Sequence, residues 1–209
     1  MTKTALIRIL SVDDHPLLRE GIAAIINTQS DMLLEASAAT GEEAIAKFRA
    51  LRPDVTLMDL KLPGLSGIEA MIAIRSESSG ARIIVLTTST GDVEVQRAMK
   101  AGAHAYLLKS MPCQQILSTI RQVHSGKKCI CPEIAAGLAE HLSDDCLSER
   151  EEKVLSYAAE GHRNEDIAET LCVAVETVKS HMKHIFEKLG ATDRTQAVAI
   201  AVRRGIIQL

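Results

Sequence analysis

The stretch Val55-Thr56-Leu57-Met58-Asp59-Leu60-Lys61-Leu62-Pro63-Gly64 decides the fold. Its opening residues, Val55 to Met58, form one of four short apolar runs rich in Leu, Ile and Val. The others are Leu6 to Val12, Ile83 to Leu86 and Ala105 to Leu108. Runs that are apolar on both faces suit a parallel sheet covered by helices. Each run ends on polar residues: Asp13-Asp14, Asp59, Thr87 and Lys109. In an open parallel sheet the carboxyl ends of the strands meet at one edge, where such folds place their sites. Three carboxylates, a hydroxyl and an ammonium are therefore expected to converge.

Between the runs lie helix-like segments. Pro16 suits a first helical turn, and Leu18, Ile22, Ile25 and Ile26 make one apolar stripe. Met32 to Ala38 is a second strand, with helices expected over Glu42 to Leu51, Gly67 to Arg75, Val93 to Lys100 and Pro112 to Val123. The result is five βα units and a five-stranded doubly wound sheet. After Ser125-Gly126-Lys127-Lys128 the pattern changes. Pro132 to Leu142 is weakly helical and Ser143-Asp144-Asp145 breaks it, the mark of a linker. From Leu147 only helix signals follow. Ser148 and Glu151 fit a capping box, Gly161 ends that helix, and Asn164 is placed to cap a second through Leu171. A third helix spans Val175 to Leu189 and stops at Gly190, and Asp193 opens a fourth that ends near Gly205. The chain thus divides into an α/β domain over 1–126, a linker over 127–146 and a four-helix domain over 147–209.

The 209 residues are 46% apolar, ample for packed cores. No apolar stretch approaches the ~20 residues of a membrane helix. The start leads into a strand ending at Asp13-Asp14, unlike a cleavable signal, so a cytoplasmic protein is expected. The five cysteines, Cys113, Cys129, Cys131, Cys146 and Cys172, lack a paired C-x-x-C framework and read as reduced thiols.

A lone Asp at a strand end ordinarily caps a loop; the convergence of five polar residues is what suggests chemistry. Clustered carboxylates repel, so at neutral pH they take up protons or hold a cation. Oxygen ligands from two or three acids suit Mg²⁺. An Asp carboxylate is also a competent nucleophile for phosphoryl groups, which a Lys and a hydroxyl stabilise.

The segments Leu10 to Pro16, Leu57 to Gly64, Val85-Leu86-Thr87 and Gly102 to Lys109 resemble the receiver domains of bacterial two-component response regulators. The resemblance spans about residues 6 to 126. It implies that Asp59 accepts a phosphoryl group from a sensor histidine kinase. It further implies that Asp13, Asp14, Asp59 and the backbone carbonyl of Lys61 hold Mg²⁺, and that Thr87 and Lys109 contact the phosphoryl group. Tyr106 matches the family's switch aromatic and pairs with Thr87 in that role; the plain alternative is a packed strand residue. Many receivers carry Pro directly after the Lys, whereas Ser110 stands here, and a cis Lys109–Ser110 bond would cost about 3 kcal/mol without proline.

In the tail, Val178, Met182, Ile185 and Leu189 make an apolar stripe, and the opposite face carries Lys179, Ser180, Lys183 and Glu187. Helix, tight turn at Cys172-Val173-Ala174 and helix is the helix-turn-helix order, whose second helix enters the major groove of double-stranded DNA. Residues 144–209 hold nine Lys and Arg against twelve Asp and Glu, a net charge of −3, so any positive field is local. Leu147 to Glu151, Gly161, Asn164, Ile167-Ala168, Thr177 to His181 and Lys188-Leu189-Gly190 resemble the LuxR-type helix-turn-helix of the NarL/FixJ subfamily. That resemblance implies base contacts from Lys179, Ser180 and Lys183, and pairing of two copies through the last helix. Relatives usually place a capping Ser where Ala174 stands.

The expected function is a transcriptional response regulator, not an enzyme. It is switched by Mg²⁺-dependent phosphorylation of Asp59, forms a homodimer on activation and binds promoters, with RNA polymerase as a further candidate partner. Two alternatives are a DNA-binding protein whose receiver only dimerises, and an Mg²⁺-dependent aspartyl-phosphate phosphatase. Against the phosphatase stands Lys61, which occupies the position two after Asp59 where such enzymes place a second Asp.

Overall fold

The computed structural model describes residues 6–131, 134–135 and 146–207. The chain divides into two compact units: an α/β unit that takes the described residues up to Thr88 and from Gln96 to Ala135, and a helical unit that takes those from 146 onward together with Ser89–Val95. In the α/β unit, strands β1 (Ile7–Val12), β2 (Met32–Ala38), β3 (Val55–Met58), β4 (Ile83–Thr87), β5 (Ala105–Leu108) and β6 (Cys129–Ile130) pair in the order β2-β1-β3-β4-β5-β6, all parallel. The helices are α1 (Pro16–Asn27), α2 (Gly41–Leu51), α3 (Gly67–Glu77), α4 (Asp92–Lys100) and α5 (Cys113–His124).

The runs that are apolar on both faces take the inner positions. Every residue of β3 and β4 is buried, whereas β2, at the edge, is half-exposed along most of its length. Ile9, Val55, Leu57, Ile84 and Leu107 form a cluster with Ile22 and Ile26 of α1 and Leu117 and Ile120 of α5. The expected stripe of α1 divides accordingly: Ile22 and Ile26 are buried, and Leu18 and Ile25 pack partly against the cluster.

Six strands are present where five were expected. The sixth is only two residues long, and it pairs Cys129 with Ala105 and Ile130 with Tyr106 along the outer side of β5. Cys129 N–H donates to the carbonyl of His104 (2.9 Å), a bond that offers the open edge of β5 a partner. Of the weak helix expected over Pro132 to Leu142, only Ile134 and Ala135 are described, and both are helical; the rest lies outside the described residues. All peptide bonds among the described residues, Lys109–Ser110 included, are trans.

The helical unit contains α6 (Glu149–Ala159), α7 (Asn164–Thr170), α8 (Val175–Leu189) and α9 (Arg194–Arg203). Ser148 and Glu151 make the capping box expected of them, and Asp193 caps α9 by accepting from Gln196 N–H (2.8 Å). Gly190 takes the left-handed conformation that closes α8. The expected cap at Asn164 is displaced by one residue. Arg163 holds the cap position, because Asp166 Oδ2 accepts from Arg163 N–H (2.9 Å) and Asn164 becomes the first helical residue. Val154, Leu155, Ile167, Val178, Met182, Ile185 and Ala197 form the core. No helix among the described residues is long and apolar enough to cross a membrane.

Two contacts lead to stability predictions. Gly67 opens α3 against the turn after β3, where a Cβ would sit 1.9 Å from the carbonyl oxygen of Asp59 and 2.8 Å from the Cα of Leu60. Gly67→Ala should lower the unfolding free energy by about 1–3 kcal/mol. Gly80→Ala, with nothing within 4 Å of the new methyl, should leave it unchanged or slightly raised in the same urea titration. In the helical unit, burial would raise the Glu151 carboxyl, but Lys188 and both hydrogen-bonding groups of Ser148 outweigh it and bring it to about 2. Its folded pKa lies below the ordinary 4.5, so its stabilisation is complete above that pH and disappears as pH falls through about 2. The Glu151 side chain is 6% exposed, which makes the loss about 3 kcal/mol. Glu151→Gln should abolish that slope in acid unfolding followed by circular dichroism.

Candidate functional site

The strand register assembles the pocket. Val12 pairs with Met58, so Asp13 and Asp59 leave β1 and β3 side by side, at the point where the strand order reverses. The ladder continues one residue further: Asp59 N–H donates to Val12 O (2.9 Å), and Lys109 N–H to Thr87 O (2.8 Å). Asp13, Asp59 and Thr87 are each 2% exposed or less. Lys109 Nζ lies 2.7 Å from Asp13 Oδ2 and 2.7 Å from Asp59 Oδ2, bridging the two carboxylates. Lys61 N–H donates to Asp59 Oδ1 (3.3 Å), folding the loop after β3 back over the acid, while the Lys61 side chain is exposed.

Burial pushes the Asp59 carboxyl above its ordinary pKa; Lys109 opposes that push and the charge of Asp13 adds to it. Burial also works against the charged form of Lys109, but hydrogen bonds to Asp13 and Asp59 outweigh it and raise its pKa. Ligand atoms of Asp13, Asp14, His15 and Asp59 all lie within 4.8 Å of one another. Asp14 Oδ1 is buried although its side chain is 36% exposed, and its contact with His15 Nδ1 (2.6 Å) lacks hydrogen-bond geometry. Carboxylate oxygens at this spacing fit a small hard divalent cation such as Mg²⁺.

Tyr106 lies on the neighbouring strand β5. Its side chain is fully buried on β5 opposite Val85, so an inward swing would have to start from a different conformation. His15 had no assigned role from the sequence, yet its Nδ1 lies 2.6 Å from Asp14 Oδ1 and 3.3 Å from Asp13 Oδ1. Its place directly after Asp13-Asp14 was the available signal.

In the helical unit, α8 buries Val178, Met182 and Ile185, with Leu189 half-buried, and exposes Lys179, Ser180, Lys183 and Glu187. Lys179 Nζ donates to Glu176 Oε1 (2.7 Å), and Lys183 Nζ is 3.9 Å from Glu187 Oε1. The bond to Glu176 raises the Lys179 pKa, keeping it charged. An open cleft of about 390 Å³ is lined by Asn164, Lys179, Met182, Lys183, Phe186 and Arg194. Lys179, Lys183 and Arg194 bring three cations to its wall, with Glu176 and Glu187 beside the two lysines.

Residues 9–121 match the family model for the response regulator receiver domain, and residues 145–201 match that for the luxR family of bacterial regulatory proteins. The response regulator protein VraR of Staphylococcus aureus is 36% identical over 207 residues, covering 97% of this chain and 99% of VraR. Among solved structures, the response regulator ChrA of a heme-sensing two-component system is 31% identical with a TM-score of 0.59, covering 97% of this chain and 100% of that one. A LuxR-family two-component response regulator from Aurantimonas sp. SI85-9A1 is 36% identical with a TM-score of 0.63, covering 66% of this chain and 99% of that one.

The start of α8 has a measurable weakness. Ala174 occupies the cap with no side-chain hydrogen bond, and Glu176 in the first turn is paired with Lys179. Ala174→Ser should stabilise the helical unit by about 1 kcal/mol and slow amide exchange at Glu176 and Thr177, both read on the full chain.

Proposed function

The chain belongs to the response regulators of two-component systems that carry a LuxR-type DNA-binding domain, and from that premise we propose that phosphorylation of Asp59 controls DNA binding by the α8 face. In this reading residues 1–126 receive the phosphoryl group, 127–146 link, and 147–209 read DNA. The observation that carries it is the buried Asp59 carboxylate at the end of β3, with Lys109 bridging it to Asp13.

A carboxylate oxygen of Asp59 attacks the phosphorus of a phosphohistidine on a sensor histidine kinase. The P–O bond forms as the P–N bond breaks, and the imidazole leaves with the bonding pair and takes a proton from solvent. Mg²⁺, when bound, neutralises charge on the phosphoryl oxygens; Asp13, Asp14, Asp59 and the carbonyl of Lys61 would hold it. The Lys109 ammonium transfers its hydrogen bond from Asp59 to a phosphoryl oxygen, and the Thr87 hydroxyl donates to another. No acid stands at Lys61 to speed hydrolysis, so the group is retained as a signal.

The readout is pairing. Each tail offers few phosphate contacts, since Lys179 and Lys183 both have acidic neighbours on α8. Two copies double those contacts and place two α8 helices in successive major grooves, about one helical turn apart. Lys179, Ser180 and Lys183 face the base edges, and a promoter-bound homodimer is then positioned to meet RNA polymerase.

With Mg²⁺ and a small acyl-phosphate donor, the wild-type chain should shift to dimer and bind DNA more tightly, while Asp59→Asn should do neither. Equal sedimentation and DNA-binding curves for the two would overturn phosphate control.

A further inference from the structure

We propose that His15 is a nitrogen ligand of the acidic pocket, which gives that pocket a preference for divalent transition ions such as Ni²⁺ and Co²⁺ over Mg²⁺. The inference rests on the reading of Asp13, Asp14 and Asp59 as a divalent-cation site and adds a donor of different chemistry to it.

The position of His15 is fixed by its neighbours. Pro16 excludes helical backbone at the preceding residue, and His15 is extended with φ −82° and ψ 112°. Its N–H donates to Asp13 Oδ1 (2.9 Å), tying the residue back onto the pocket. The imidazole Nδ1 then lies 2.6 Å from Asp14 Oδ1 and 3.3 Å from Asp13 Oδ1. Neighbouring ligands of an octahedral ion with bonds of about 2.1 Å are about 3 Å apart, and the two observed distances bracket that value. With Asp59 included, the four side chains offer one nitrogen and three oxygens within 4.8 Å.

Donor chemistry then decides the ion. Mg²⁺ takes oxygen almost exclusively, whereas imidazole favours the later divalent ions, whose affinity for a given site rises from Mn²⁺ towards Ni²⁺. A plain acidic pocket gains nothing from an imidazole with Mg²⁺ bound; with Ni²⁺ it gains a strong bond. The His15 side chain is 68% exposed, so its ring has room to adjust as the ion enters.

The test uses the full chain and the metals alone. Calorimetric titration with Mg²⁺ and with Ni²⁺ is run on wild type and on His15→Ala, counting only Ni²⁺ that excess Mg²⁺ displaces, which removes other histidines such as His181 and His184 from the reading. Pulsed electron paramagnetic resonance on Mg²⁺-displaceable Mn²⁺ provides a second readout through nitrogen modulation. The proposal expects a Ni²⁺ affinity at least tenfold weaker in His15→Ala, a Mg²⁺ affinity within about twofold of wild type, and nitrogen modulation seen in wild type alone. Equal weakening for both ions would make His15 a support for Asp14 and overturn the proposal, as would unchanged Ni²⁺ binding or absent nitrogen modulation. Absence of any Mg²⁺-displaceable binding in wild type would remove the cation-site reading itself, and this one with it.

Discussion

The α/β unit depends on one arrangement: a Lys109 ammonium shared between the buried carboxylates of Asp13 and Asp59. Two like charges cannot both stay ionised inside a fold unless something of opposite sign stands between them. Here the sheet supplies that cation from the end of β5, two strands away from β3, and the ladder bonds at Val12 and Thr87 fix both ends. The arrangement is compensated, and under the proposed phosphorylation a phosphoryl group on Asp59 would offer Lys109 a partner of higher charge. An edge built to tolerate buried charge is thereby also built to respond to new charge.

The helical unit solves a different problem, presenting cations from an acidic segment. Glu151, pulled down by Ser148 and Lys188, anchors the start of α6 within the core. Lys179 and Lys183 extend from α8 beside Glu176 and Glu187, which lower the net charge of that face.

Much of this was legible in sequence because burial on both faces leaves a plain mark. β2, β3 and β5 match the expected ranges, as does α8, where a 15-residue stripe sits between a tight turn and Gly190. The polar ends of the runs then located Asp13, Asp59, Thr87 and Lys109 without any knowledge of side-chain positions. β6 was missed because two residues carry no periodicity, and pairing with β5 alone defines it. The shift from Asn164 to Arg163 at the start of α7 came from Asp166, a neighbour three residues on whose carboxylate competes for the free N–H. His15 was passed over for a similar reason: its significance lies in distances to Asp13 and Asp14, which spacing along the chain does not specify. The pairing of Lys179 with Glu176 is likewise a rotamer choice.

The central claim is that the Asp59 carboxylate, and neither Asp13 nor Asp14, takes the phosphoryl group. Borohydride reduces an aspartyl phosphate to homoserine, so the full chain would be incubated with an acyl-phosphate donor and Mg²⁺, reduced, digested and mapped by mass spectrometry. Homoserine at position 59 alone, dependent on the donor, is the predicted result. Its absence from position 59, or its appearance at 13 or 14, would contradict the account.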